Sequence, residues 1–243
     1  MTYCVGLLLK EGLIMASDTR TNAGVDNIAT FRKLRIWERP GDRVVALAGA
    51  GNLAVTQSVI SQLEERINAG PDAGETILSV DSMFKVARLV GDAVREVKRI
   101  DSPAASAGME NFSVSFLLGG QIGKGQLRLF QVYDAGNFIE ASEDTPYFQI
   151  GEHKYGKPIL DRVTTTAMPI SSAVKLVLLS FDSTLRSNLS VGMPLDLLIY
   201  RRGALKVDLS RRITAEDTYF RNLSNLWSNA LKGAFASIPE YDW

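Results

Sequence analysis

The order of apolar patterns along the chain constrains its fold most. Strand-like segments come first, then two helical segments, then strands, then two more helical segments, and last a strand pair and a terminal helix. Connections of hairpin size make neighbouring strands antiparallel, because a parallel pair needs a crossover of a dozen or more residues. Helices that arrive in consecutive pairs segregate into layers of their own. Two stacked antiparallel sheets, each flanked by a helix pair, is the economical packing. The sequence therefore reads as an α+β chain, a four-layer αββα sandwich, and as a single domain over residues 1–243, since no repeat, low-complexity tract or linker interrupts it.

The segments can be placed individually. Cys4–Leu9 and Leu13–Asp18 are apolar runs about a turn at Glu11-Gly12, and Ile28–Trp37 alternates as one half-buried strand. Val44–Ala48 is a continuous apolar run that ends at Gly49 and feeds a helix from Asn52, a good N-cap, to about Ala69. A second helix starts near Ser79 or Asp81 and reaches about Ile100, with a connector over 102–108. Strands are expected at 112–118 and 126–134, joined by the glycine-rich turn 119–125, and again at 138–141 and 147–150. Helices over about 155–166 and 171–187, a hairpin of 194–200 with 204–209, and a last helix from 215 or 216 to about Leu231 complete the chain.

Composition removes whole classes of function. Lys plus Arg equals Asp plus Glu at 27 each, so net charge gives no reason to expect nucleic acid or an anionic membrane as partner. No apolar stretch approaches the length that spans a bilayer, and residues 5–9 are too short for a signal segment. The single Cys4 excludes an intrachain disulfide, and the expected compartment is the cytoplasm. The single His153 rules out HExxH and His-rich metal sites, and no G-x-S-x-G elbow accompanies it for a serine triad. No metal or organic cofactor is implied. Cys4, in an apolar alternating strand, reads as a small core residue.

What remains is the second residue. With Met1 removed, Thr2 would carry a nucleophilic hydroxyl and a base on one residue, because a free α-amine titrates at about 7.7–8.0. Asp18 follows directly on the second apolar run, Lys33 lies in the next strand, and Gly49 ends a buried strand before a helix. In antiparallel sheets these ends can converge on the first residue. An ammonium at Lys33 would keep the Thr2 amine basic by like-charge repulsion, Asp18 would hold that lysine, and backbone N–H groups near Gly49 would take an oxyanion.

The segments Thr2-Tyr3-Cys4-Val5-Gly6, Leu13–Arg20, the strand with Lys33 and Leu47-Ala48-Gly49-Ala50-Gly51 together resemble the proteasome β-subunit type of N-terminal-nucleophile hydrolase. Ile150–Pro158 and Ser180–Thr184 are similar to its bacterial ancestral branch, the Anbu proteins. The resemblance implies catalytic roles for Thr2, Asp18 and Lys33, an oxyanion N–H at Gly49, and homo-oligomers shaped as rings or open spirals. Family members place a serine after the Ile-Gly of the central strand, where this chain has Glu152. The pair supporting the threonine is either Asp182 with Ser187 or Ser187 with Ser190; the second fits the distance to the 194–200 strand. The expected activity is amide hydrolysis, most simply of peptides. The alternatives are a non-catalytic assembly component of the same fold and an amidase or acyl-transfer enzyme on small modified peptides.

Overall fold

A hairpin opens the first sheet: β1 (Tyr3–Leu8) pairs antiparallel with β2 (Gly12–Asp18), with Cys4 opposite Ser17 and Leu8 opposite Leu13. The computed structural model describes residues 1–22, 28–70, 74–105 and 112–243. The short strands β3 (Arg20–Asn22) and β4 (Ile28–Thr30) pair with each other. The second sheet then begins with β5 (Leu34–Arg39) and β6 (Arg43–Gly51). Helices α1 (Leu53–Asn68) and α2 (Met83–Ala105) follow, then β7 (Val114–Ile122), β8 (Arg128–Val132) and β9 (Phe138–Glu140). The chain returns to the first sheet with β10 (Tyr147–Gly151), passes through α3 (Lys157–Val163) and α4 (Ile170–Ser187), and adds β11 (Leu195–Arg201) and β12 (Leu209–Ile213). Helix α5 (Thr218–Ser237) is last. The strand orders are β10-β1-β2-β11-β12 and β5-β6-β7-β8-β9, all antiparallel.

Strand alternation produces the layers. In β1, Tyr3, Val5 and Leu7 face Ala173, Val177 and Phe181 of α4, while Cys4 points between the sheets. In β6, Val45 and Leu47 face α1 and α2, while Val44, Ala46 and Ala48 meet Leu13, Met15 and Leu198 of the other sheet. Both faces of each central strand are thus buried, which is why these strands read as continuous apolar runs. Burying one such Val or Leu is worth about 1.5–3 kcal/mol, so the αββα sandwich follows from the pattern.

Several boundaries differ from the sequence expectations. The run 28–37 is two strands, because β4 pairs with β3 and β5 pairs with β6, and residues 31–33 cross between the sheets. The glycine-rich segment is only half turn: β7 continues to Ile122, because Gly119 lets Leu13 of the facing sheet approach to where a Cβ would lie 2.6 Å away. The last hairpin carries a longer turn, held by Arg201 N–H donating to Asp208 Oδ2 at 2.6 Å, so β12 starts at Leu209 instead of near 204. Helix α5 starts at an Asp217 N-cap, whose carboxylate accepts from Phe220 N–H at 2.9 Å, and runs to Ser237, past the expected end. Helix α2 covers 102–105 of the expected connector; residues 106–108 lie outside the described residues.

Candidate active site

Thr2 precedes β1 and is 8% exposed, with Met1 joined ahead of it and largely in solvent. Its carbonyl accepts from Glu152 N–H at 2.7 Å, which extends the β1–β10 ladder by one step. That step turns on Gly151. Its φ is +79°, and a Cβ there would lie 1.9 Å from the Thr2 carbonyl oxygen. Gly151→Ala is expected to combine left-handed strain with a backbone clash, a loss of at least about 3 kcal/mol. For a chain of this length that lowers Tm by roughly 6–12 °C. A thermal melt within about 2 °C of wild type would contradict this account of Gly151.

Asp18 and Lys33 meet in the interior. Asp18, at the end of β2, is fully buried, and Lys33, in the crossing between β4 and β5, is 6% exposed. Lys33 Nζ donates to Asp18 Oδ1 at 2.8 Å and to the Arg20 carbonyl at 2.6 Å. The same Oδ1 accepts from Tyr3 N–H at 3.1 Å, and Oδ2 accepts from Gly192 N–H at 3.3 Å. The pair is therefore satisfied on nearly every side, the condition under which a buried ion pair is tolerated. Burial raises the Asp18 carboxyl above the usual carboxylate range, and the Lys33 charge and the two N–H groups pull it back. The α-amine of Met1 is held below its ordinary value, by burial first and by Lys33 second, with Asp18 and Glu152 acting in the opposite sense.

At Gly49 the strand does more than end. Its N–H donates to the Lys33 carbonyl at 3.1 Å, closing the tip of β5 on β6. Asn52 N–H donates to Ser113 on the β7 side, so ladder alternation puts the Gly51 N–H on the same side as that of Gly49, past the end of β5. Gly51 has a φ of +114°, and a Cβ there would lie 2.2 Å from the Ser113 carbonyl oxygen. Two hollows open on this rim. One of about 310 Å³ is lined by Thr2, Thr21, Lys33, Gly49 and Gly51, the other of about 460 Å³ by Thr2, Gly51, Asn52, Ser115 and Gly151. Hollows of similar size lie between β5 and β12 and beneath α4 and α5, so it is the chemistry around Thr2 and not cavity size that picks out the site.

The structure brings Thr2, Asp18, Lys33 and Gly49 together, but the Gly49 N–H expected to hold an oxyanion is bonded to the Lys33 carbonyl. It leaves the supporting pair apart from them. Ser187 is exposed at the end of α4, and Ser190 is half-buried, its N–H donating to Asn188 Oδ1 at 2.8 Å. Neither hydroxyl hydrogen-bonds to Thr2. Asp182 is buried, paired with Arg186 at 3.3 Å, and lines the hollow under α4 and α5. Asn188 is the residue of this loop that reaches toward the site, donating its side-chain amide to Glu152. Thr21 was not singled out by sequence; its hydroxyl is buried without a partner beside the smaller hollow. Gly192 was missed as well, because a backbone donor leaves no mark on residue type. Burial pushes the Cys4 thiol up and its Sγ donates to the Gly49 carbonyl at 3.7 Å, so it is a core residue. His153 is exposed and lines a separate hollow with Tyr147, Lys157 and Asp161. Among the described residues, no group of three or more His, Cys, Asp or Glu could hold a metal ion, and no helix is long and apolar enough to cross a membrane.

A family profile described as "Proteasome subunit" matches residues 2–199. The chain belongs to the proteasome-subunit family. Among solved proteasome-family structures, an Anbu (Gly-1) mutant from Hyphomicrobium sp. strain MC1 is 55% identical over the whole of both chains, with a TM-score of 0.92. Anbu (ancestral beta-subunit) from Yersinia bercovieri is 47% identical over 99% of each chain, with a TM-score of 0.92. An Anbu chain from Pseudomonas aeruginosa, described as a helical assembly, is 48% identical over 99% of this chain and 98% of its own, with a TM-score of 0.93. No curated protein matches the chain.

Proposed function

We propose that the chain is a threonine amide hydrolase, a cytoplasmic peptidase that works in a homo-oligomer once Met1 has been removed. The observation that carries the reading is the buried Asp18–Lys33 pair bonded to the backbone N–H next to Thr2. In the proposed reaction the Thr2 hydroxyl attacks the substrate carbonyl and its proton passes to the Thr2 α-amine. The tetrahedral oxyanion is met on this rim by the Gly51 N–H, since the Gly49 N–H is already held by the Lys33 carbonyl, and such a donor is worth most in a partly dry cleft. The C–N bond then breaks, the amine leaves with the proton, and a threonyl ester remains. Water, deprotonated by the same α-amine, releases the acid and restores Thr2. Solved relatives include a helical assembly, which supports a ring or open spiral of identical subunits here.

A second reading, an assembly component without catalysis, draws on the exposed Ser187 and on Glu152 standing where a serine would relay protons. One experiment separates the two. Intact mass is measured before and after exposure of the natively produced protein to a peptide epoxyketone, whose stable adduct needs a free α-amine and the adjacent hydroxyl. Loss of Met1 with one adduct per chain is expected. Loss of Met1 with no adduct, under conditions where the chain is folded, would establish the assembly reading instead.

A further inference from the structure

We propose that Glu152 is the counter-charge of the Thr2 α-amine and so sets the pH above which Thr2 can act. The proposal rests on the reading of Thr2 as an N-terminal nucleophile. It starts from register: Gly151 pairs with Tyr3, and the next step sets Glu152 against Thr2, joined by the 2.7 Å bond from Glu152 N–H to the Thr2 carbonyl. Residues directly opposite across an antiparallel ladder carry Cβ atoms about 4.5–5.5 Å apart. The side chain does not escape to solvent from there. Glu152 is 8% exposed, and Oε2 accepts from the side-chain amide of Asn188, which comes from the loop after α4. A buried acidic side chain with a dedicated donor is a placed group, since an unpaired one would be costly to bury.

The charges that face the amine come from three elements. Asp18 comes from the end of β2, Lys33 from the crossing before β5, and Glu152 from the turn after β10, with the exposed Lys154 3.6 Å from Glu152 Oε1. Asp18 and Lys33 pair at 2.8 Å and act on the amine in opposite senses, which leaves Glu152, countered only by the exposed Lys154, as the further negative charge of the set. A negative charge favours the ammonium over the neutral amine, and only the neutral amine can take the hydroxyl proton. The nearby amine of Met1 is held below its ordinary value by burial and Lys33, and Glu152, after Asp18, opposes that in the expected direction. A neutral serine in the same place would exert no such pull. Glu152 is therefore a positioning residue for charge, acting through the amine without touching substrate.

The experiment is the pH dependence of epoxyketone adduct formation, followed by intact mass on chains that have lost Met1. For Glu152→Gln the acid limb is expected to move down by about one pH unit, so that labelling on that limb is about 10-fold faster than wild type. The exposed Lys154→Glu adds a negative charge beside Glu152, and its limb is expected to move up by a few tenths of a unit. A merely structural role for Glu152 would change the labelling rate at all pH values together and leave the midpoint in place. Coincident midpoints for wild type and Glu152→Gln would overturn the proposal. If that variant does not fold, coincident midpoints for wild type and Lys154→Glu overturn it. No adduct from the wild type at any pH would count instead against Thr2 as the nucleophile.

Discussion

Thr2→Ala is expected to abolish the epoxyketone adduct, and any turnover with it, while the fold stands. The hydroxyl is the only group of the proposed mechanism that forms a bond to substrate, so no neighbour can replace it. Cys4 is buried behind it with its Sγ turned to the Gly49 carbonyl. The stability cost is small because the Thr2 hydroxyl holds no hydrogen bond to the described residues and the backbone contacts of Thr2 survive the change. What is lost is about one buried methyl and a hydroxyl, on the order of 1 kcal/mol, which shifts Tm by roughly 2–4 °C. Circular dichroism and a thermal melt check the fold, and intact mass checks the chemistry. An adduct on the alanine variant would remove Thr2 from the mechanism. A collapse of the fold would mean that the residue is structural first.

The layers were legible because apolar periodicity reports which faces are buried. Val44–Ala48 and Leu13–Met15 announce strands buried on both faces, and the Asn52 N-cap fixes the start of α1 with its side chain accepting from Val55 N–H. The break inside 28–37 was not legible. Both halves have strand composition, and only the choice of partner, β3 against β6, separates them. That break matters for the site, since it puts Lys33 at a crossing where its ammonium can turn inward to Asp18. The true start of β12 was hidden for a similar reason: the pattern puts Asp208 inside a 204–209 strand, but its carboxylate accepts from the Arg201 N–H and closes the loop. At the site, Thr2, Asp18 and Gly49 could be named because each ends or begins a pattern, and Lys33 because it is a cation in the strand between them. Asn188, Gly192 and the Arg20 carbonyl could not: the last two act through backbone groups, and Asn188 through a side-chain contact with Glu152, 36 positions away in sequence.

Lys33→Met tests the pair at the heart of the site, and two separate losses are expected from it. Methionine keeps most of the volume of the lysine stem but leaves Asp18 buried with no cation. Removing one partner of a buried pair costs about 3–5 kcal/mol, equivalent to a Tm lower by roughly 10 °C in a chain of this size. Adduct formation at Thr2 is expected to fall by about 10²–10⁴-fold, the range for loss of a group that assists proton transfer. The stability loss carries a definite pH sign. Burial already raises the Asp18 carboxyl, and Lys33 is the first influence holding it down. Without Lys33 the folded chain binds the Asp18 proton more tightly than the unfolded chain, whose carboxyl titrates near about 3.9. Stability then rises as pH falls through the raised folded value toward the unfolded one, so the variant is expected to regain part of its lost Tm between about pH 8 and pH 5. Melts of wild type and variant across that window check it, and a deficit that widens toward pH 5 would contradict the buried-charge account. The double variant Asp18→Leu with Lys33→Met removes both charges together. It is expected to recover stability without recovering the adduct, because a well-packed apolar pair can replace a buried ion pair in the fold but not in the chemistry.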